Sequence, residues 1–142
     1  MIDINVGVLK FQLSPYEREY SEDGLFSDWI KTFVEYKLPV LTIQYSTAFT
    51  VVELVDLKEQ FCSLYDCLVK QQPHSGISFD SLERHFSLQV NQVGHHNVAE
   101  ISIMMKPEDN AESVKVTDTF YLDQSYFPSL LSGLDQMINW SS

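Results

Sequence analysis

Apolar residues recur along the chain with two different spacings, and each spacing predicts a different kind of element. Leu41, Ile43 and Tyr45 alternate with polar residues, which is the two-residue period of a half-buried strand. Comparable β-rich runs predict strands over residues 4–13, 29–38, 39–49, 85–93, 98–106 and 114–122. The sequence therefore predicts about six strands. The polar residues 14–24 and the acidic residues 107–113 are predicted as loops.

Two segments have the spacing of helices instead. Thr50 and Glu53 match a capping box, in which each side chain accepts a hydrogen bond from the other residue's backbone N–H. An apolar stripe follows at helical spacing, formed by Leu54, Leu57, Phe61, Leu64, Tyr65 and Leu68. Pro73 predicts that this helix ends by residue 72. A second stripe predicts a closing helix over residues 125–140, where Pro128 is tolerable only in the first turn.

The predicted elements come in clusters of strands, each cluster followed by one helix. Strict alternation of strands and helices, which is typical of parallel sheets, is missing. We therefore predict an α+β fold with one antiparallel sheet of about six strands and both helices packed on one face. A chain of 142 residues without a linker or a repeat predicts a single domain over residues 1–142.

The charge of the chain narrows the range of partners. Twenty acidic residues against nine basic ones give a formal net charge of −11. Such a surface repels nucleic acid, which is bound mainly by Lys and Arg, and it repels anionic membrane surfaces. It attracts basic partners over long distances. We therefore expect a basic protein partner, with no nucleic acid and no membrane involved.

The cysteines and the apolar runs predict the compartment. Cys62 and Cys67 point about 140° apart on a helix of 3.6 residues per turn, so they cannot form a disulfide with each other. Two lone thiols fit a reducing compartment. The first residues have no basic start and no long apolar run, and no window approaches the length of a membrane span. We expect a cytoplasmic protein.

Few residues have the spacing of a catalytic or metal site. His95 and His96 are not accompanied by Cys or carboxylates at zinc-motif spacing, and the five glycines form no phosphate loop. Asp118 and Asp123 bracket a strand end, where Asp123 is better explained as a cap of the last helix. The sequence therefore predicts no catalytic residue, no metal and no cofactor, and it favours a protein that acts by binding.

Three stretches of the chain resemble the WapI-type immunity proteins, which protect bacterial cells from a secreted toxin. These stretches are DWIKTFVEY at residues 28–36, the helix LVDLKEQF at residues 54–61 after the strand YSTAF, and FYLDQSYFP at residues 120–128. They follow one another across nearly the whole chain. The resemblance implies a protein that neutralises a cognate polymorphic toxin, often a nuclease, by direct binding and occlusion. It supplies no catalytic residues.

Two acidic segments are the candidate contact surface for such a toxin. Each of these residues carries a carboxylate and lies outside the apolar stripes. They are Glu17, Glu19, Glu22 and Asp23 before the predicted strand over residues 29–38, and Glu53, Asp56, Glu59 and Asp66 on the predicted helix. Carboxylates can mimic the phosphates that a nuclease binds, and their pairs with Arg are short and charge-assisted. A charged side opposite an apolar stripe is also what any surface helix presents. The acidic turn over residues 108–112 is a third candidate segment.

Two other functions stay open at this point. An adaptor or regulatory module of the cytosol would bind another protein through its sheet, and the candidate residues for this are Gln89, Asn91, Lys115, Thr117 and Tyr121. An enzyme or a small-molecule-binding domain would need a deep pocket with convergent polar groups. A neighbouring gene for a large secreted protein with a variable C-terminal domain would favour the immunity function.

Overall fold

The structure, a computed structural model, describes residues 1–108 and 112–141. Within these residues the elements in chain order are β1 (Ile2–Val6), β2 (Leu9–Glu19), β3 (Trp29–Leu38), β4 (Leu41–Thr50), α1 (Val51–Lys70), β5 (Ile77–Asp80), β6 (Phe86–Val93), β7 (Val98–Met105), β8 (Val116–Asp123) and α2 (Phe127–Ile138). Single turns of 3-10 helix at Leu25–Ser27 and Gln124–Tyr126 precede β3 and α2. The predicted α+β class is confirmed.

The strands form two antiparallel sheets of four strands each, with the orders β1-β2-β3-β4 and β5-β6-β7-β8. The predicted single sheet of about six strands is therefore wrong in its detail. In both sheets each strand pairs with the next one along the chain. The 20-residue helix α1 lies between the two groups of strands in the chain, and within the described residues no strand of the first group pairs with a strand of the second.

The first sheet begins with a hairpin where one strand and a loop were predicted. Gly7, with a φ of 58°, forms the turn between β1 and β2, because glycine adopts this backbone conformation without steric cost. Strand β2 then continues to Glu19, through residues that were expected to be a loop. Its register with β3 shifts between Pro15 and Glu17, and β1 pairs with β2 only as far as Leu13. Pro15 is tolerated because it lies at a bulge, beside an edge that β1 no longer covers.

The helices follow the sequence signals more closely. Thr50 accepts a hydrogen bond from the N–H of Glu53 (3.3 Å), and the Glu53 carboxylate accepts one from the N–H of Thr50 (2.7 Å). This confirms the capping box. Helix α2 begins at Phe127 rather than at residue 125, because the Gln124–Tyr126 turn precedes it, and Pro128 lies in the first turn as required. Asp123 accepts a hydrogen bond from the Ser125 N–H (2.9 Å) and so caps this turn.

The core lies between the two sheets and the helices. The rings of Phe11 in the first sheet and Phe86 in the second are stacked, with centroids 5.9 Å apart. Two tyrosine hydroxyls also join the sheets: Tyr36 donates to the Asp118 carboxylate and Tyr45 to the His85 carbonyl, both at 2.7 Å. Burial is the main reason that the pKa values of both tyrosines are raised. The hydroxyl donors therefore stay protonated at neutral pH.

Helix α2 packs against β1 at a very short distance. A Cβ atom added to Gly133 would lie 2.6 Å from the carbonyl oxygen of Met1 and 3.1 Å from the Cα of Ile2. Both atoms belong to the backbone, which cannot turn away as a flexible side chain would. Gly133 is therefore required by the close approach of the two elements, although glycine is a poor helix former.

We expect Gly133→Ala to lower the free energy of unfolding by about 1–3 kcal/mol, because the added methyl group overpacks the contact with β1. Chemical denaturation of both proteins would measure it. Ser132→Ala is the matched control, since Ser132 is exposed on the same helix and alanine raises helix propensity there. A gain in stability for Gly133→Ala, as for Ser132→Ala, would contradict the close contact.

Candidate functional site

The acidic segments meet where the loop between β2 and β3 reaches the start of α1. Trp29, the first residue of β3, pairs with Thr50, the N-cap of α1. The carbonyl of Asp28 accepts a hydrogen bond from the N–H of Val51 at 3.0 Å. The Leu25–Ser27 turn in the same loop also contacts α1. The first turn of α1 and the loop therefore form one continuous surface.

A buried ion pair holds this loop in place. The Arg18 guanidinium pairs with the Asp28 carboxylate at 2.8 Å, and the two side chains are 9% and 1% exposed. The second Asp28 oxygen accepts the N–H of Ser21 at 2.6 Å. Arg18 also donates to the carbonyls of Ile138 (3.0 Å), the last residue of α2, and Trp140 (2.9 Å), two residues further on. The pair thus connects β2, the loop, α1 and the end of α2.

The same contacts fix the protonation state of Asp28. The backbone N–H of Ser21 and the Arg18 guanidinium hold the pKa of Asp28 below its ordinary value, against burial, which raises it. The carboxylate is therefore charged at neutral pH, as the ion pair requires.

Glu53 has a structural task in this region. Its carboxylate accepts hydrogen bonds from the backbone N–H and the hydroxyl of Thr50, at 2.7 and 2.9 Å. The other carboxylate oxygen accepts the N–H of Leu82 at 2.7 Å, which attaches the segment after β5 to α1. Its oxygens are therefore occupied within the chain, in contrast to a carboxylate that is free to bind a partner.

The other predicted residues of α1 lie on its solvent side. Asp56 accepts a hydrogen bond from the Gln60 amide at 2.7 Å, and Asp66 pairs with Lys70 at 3.1 Å. The Glu59 carboxylate is exposed and makes no hydrogen bond or ion pair within residues 1–108 and 112–141. Asp66 is ten residues beyond Asp56, which is about 15 Å along a helix. Asp56 and Glu59 are thus the α1 carboxylates near the loop.

The four predicted acidic residues before β3 also fall into two groups, one with ion-pair partners and one without. Glu17 and Glu19 lie on β2 and share the Lys31 ammonium, at 3.0 and 2.9 Å. Glu19 and Glu17 raise the pKa of Lys31, so this lysine stays charged and offsets part of their charge.

Glu22 and Asp23 are exposed in the loop, and in the described part of the chain no side chain pairs with their carboxylates. Glu22 and Asp23 thus lie in the loop that is bonded to the first residue of α1, and Asp56 and Glu59 lie on the solvent side of that helix; we call these four the acidic rim.

Three apolar residues of this loop and of the first turn of α1 were not predicted as functional. Leu25 is 69% exposed, Phe26 is 63% exposed and Val52, in the first turn of α1, is 51% exposed. We call these three the apolar patch. The only sequence signal for their role is that two large apolar residues, Leu25 and Phe26, follow Gly24 inside a polar loop. They fit neither the two-residue spacing of a strand nor the spacing of a helix, so the pattern does not place them in the core.

Other surfaces offer less to a basic partner or a substrate. The adaptor candidates Gln89, Asn91, Thr117 and Tyr121 share the exposed face of the second sheet, where an open groove of about 530 Å³ runs past Ser102. Lys115 lies just before β8. The candidate turn over residues 108–112 cannot be placed, because 109–111 lie outside the described residues.

The described residues give no support to a metal site or a membrane span. No group of three or more His, Cys, Asp or Glu side chains among them could hold a metal ion. None of the helices found in these residues has the length and apolarity needed to cross a membrane.

A family model for the WapI-like immunity proteins matches residues 2–141. The chain belongs to the WapI-like immunity protein family. This confirms the resemblance that the three sequence stretches indicated. A WapI-like immunity protein has a toxin as its partner, and the family in general acts without catalysis.

Comparison with curated proteins and solved structures gives information on the fold and none on the function. No curated protein matches the chain. The crystal structure of WHY3 from Arabidopsis thaliana is similar with a TM-score of 0.50 and 14% identity, over 96% of this chain and 84% of that chain. The structure of the plant transcriptional regulator PBF-2 has a TM-score of 0.49 and 11% identity, over 96% and 86% of the two chains. At such low identity we draw no functional conclusion from either of them for this WapI-like protein.

We expect the stability that the Asp28 charge contributes to be complete above the unfolded-state pKa of about 3.9 and to be lost as the pH falls through the lower folded-state pKa. Asp28→Asn should therefore be less stable than the unsubstituted chain at neutral pH, and the difference should shrink below about pH 4. Denaturation midpoints between pH 2 and 7 would measure it. A difference that stays constant over this range would show that the Asp28 charge is not what holds the loop.

We expect Glu53→Ala to lower the free energy of unfolding by about 1–2 kcal/mol, because it removes the capping box and the bond to Leu82. Glu59→Ala, on the solvent side of the same helix, should change it by less than about 0.5 kcal/mol. Urea denaturation of the two variants would compare them. Equal losses would mean that Glu53 does not have the structural role described.

Proposed function

We propose that the protein neutralises a cognate polymorphic toxin in the cytoplasm by binding it one to one and covering its working surface. The observation that carries this proposal is the acidic rim. Its carboxylates are exposed, and those of Glu22, Asp23 and Glu59 have no counter-ion among the described residues. An acidic surface that is not neutralised within its own chain is suited to a basic partner.

The eight predicted contact residues contribute differently in this proposal. Glu22, Asp23, Asp56 and Glu59 meet the toxin directly. Glu17, Glu19 and Asp66 lie further out and are paired with lysines, so they add to the long-range attraction. Glu53 acts indirectly, because it holds the first turn of α1 in shape.

A nuclease fits this surface as the class of toxin. A nuclease binds phosphates with Lys and Arg side chains, and carboxylates held in fixed positions can occupy the same cationic groups. The net charge of −11 favours rapid encounter with such a surface. Inhibition would then follow from occlusion of the nucleic-acid-binding surface, with no bond made or broken.

Co-expression tests the function itself. The proposal predicts a neighbouring gene for a large secreted protein with a variable C-terminal domain, and this domain is the probe. Cells that express this domain should survive when the immunity protein is present and die when it is absent, and the purified proteins should form a one-to-one complex. Death of the cells in both cases would overturn the proposal.

We expect the double substitution Asp56→Lys, Glu59→Lys to slow association with this toxin domain by about tenfold at low salt, because it replaces two of the four carboxylates of the acidic rim with cations and so cancels the rim's net negative charge. The effect should diminish as the salt concentration rises. Stopped-flow measurements at several salt concentrations would give the rates.

The matched control is Glu35→Lys, Glu100→Lys, since these two residues lie within strands β3 and β7 and the net charge changes by the same amount. This control should reduce the rate much less. An equal reduction by both double substitutions would mean that the overall charge matters and that the acidic rim is not the contact.

A further inference from the structure

Leu25 and Phe26 have large apolar side chains that remain exposed to solvent in the folded protein. They are 69% and 63% exposed, and the Leu25–Ser27 turn buries none of its residues. Exposing large apolar side chains next to each other costs free energy in the isolated chain. A contiguous exposed apolar surface is typical of a site of interaction.

The turn that carries these residues is held in one conformation. The N–H of Ser27 donates to the carbonyl of Gly24 (3.1 Å), and that of Asp28 donates to the carbonyl of Leu25 (3.2 Å). Gly24 has a φ of 111°, a conformation that other residues rarely adopt. Asp28 is in turn fixed by Arg18 and Ser21. Binding through this turn would therefore lose little conformational entropy.

The surroundings of the apolar patch match the anatomy of a protein interface. The turn contacts α1, and the residue directly after it, Asp28, is bonded to Val51 beside the exposed Val52. The carboxylates of Glu22 and Asp23 precede the turn, and those of Asp56 and Glu59 follow Val52 on the solvent side of α1. Tight interfaces have an apolar centre surrounded by polar residues, and aromatic side chains at the centre contribute most of the affinity.

We propose that Leu25 and Phe26 are the apolar anchor that holds the toxin, and that they enter an apolar cleft bordered by basic residues on the toxin surface. This inference rests on the proposed function and adds the residues that set the lifetime of the complex. The acidic rim speeds the encounter, whereas the anchor slows dissociation.

The alternative aromatic surface is less suited to this partner. Tyr16 and Phe33 lie on the open face of the first sheet, with ring centroids 4.4 Å apart and exposures of 39% and 53%. Lys10, Lys31 and Lys37 lie on the same face, where they offset the charge of the carboxylates of Glu17, Glu19 and Glu35. A basic toxin would meet less attraction there. Phe33 is therefore the matched control for Phe26.

The experiment measures binding of the toxin domain from the neighbouring gene to the unsubstituted chain, Phe26→Ala, Phe26→Leu and Phe33→Ala. Phe26→Ala should raise Kd at least about tenfold, mainly through faster dissociation, and at both low and high salt. Phe26→Leu should keep most of the affinity, and Phe33→Ala should keep all of it. The thermal unfolding midpoint should not fall for Phe26→Ala, because this ring is 63% exposed, whereas it should fall slightly for Phe33→Ala, which loses the ring contact with Tyr16.

The outcomes separate this inference from the proposed function. Failure of the unsubstituted chain to bind the toxin would overturn the proposed function and this inference with it. Normal binding by Phe26→Ala, or an equal loss with Phe33→Ala, would overturn the inference alone. A dimer of the unsubstituted chain that Phe26→Ala converts to monomers, with toxin binding unchanged, would assign the apolar patch to a second copy and would also overturn it.

Discussion

The buried pair between Arg18 and Asp28 is the interaction on which the described arrangement depends. Removing two charges from water is costly unless their remaining hydrogen-bonding groups are satisfied. Here the guanidinium reaches the carbonyls of Ile138 and Trp140, and the carboxylate accepts the Ser21 N–H. One pair thus fixes the geometry of the loop relative to α1 and the end of α2. The position of the exposed residues in that loop follows from it.

Features encoded by neighbouring residues were predictable from the sequence, and features encoded by distant pairing were not. Thr50 and Glu53 gave the start of α1 correctly, because a capping box involves only four consecutive residues. No short stretch of the sequence indicates that β4 and β5 belong to different sheets. Strand β2 was shortened in the prediction because Pro15 and the charged residues after it look like a loop, and the bulge that accommodates them depends on β3.

The candidate site shows the same division. The acidic character of α1 and of the segment before β3 is visible in the composition of those stretches. Only part of the structural role of Glu53 could be predicted. Its place in the capping box is evident from the sequence, whereas its bond to Leu82 joins residues 29 positions apart. Leu25 and Phe26 have no periodic partners in the sequence, so only the fold reveals that they are left outside the core.

Residues 22–26 are all exposed, and the side-chain contacts that hold their loop come from Arg18 and Asp28 on either side of them. The side chains of residues 22, 23, 25 and 26 can therefore change with little penalty for folding, while Arg18, Gly24 and Asp28 preserve the frame. For the proposed binding of a variable toxin, this separation would let recognition diversify in one short segment without rebuilding the scaffold.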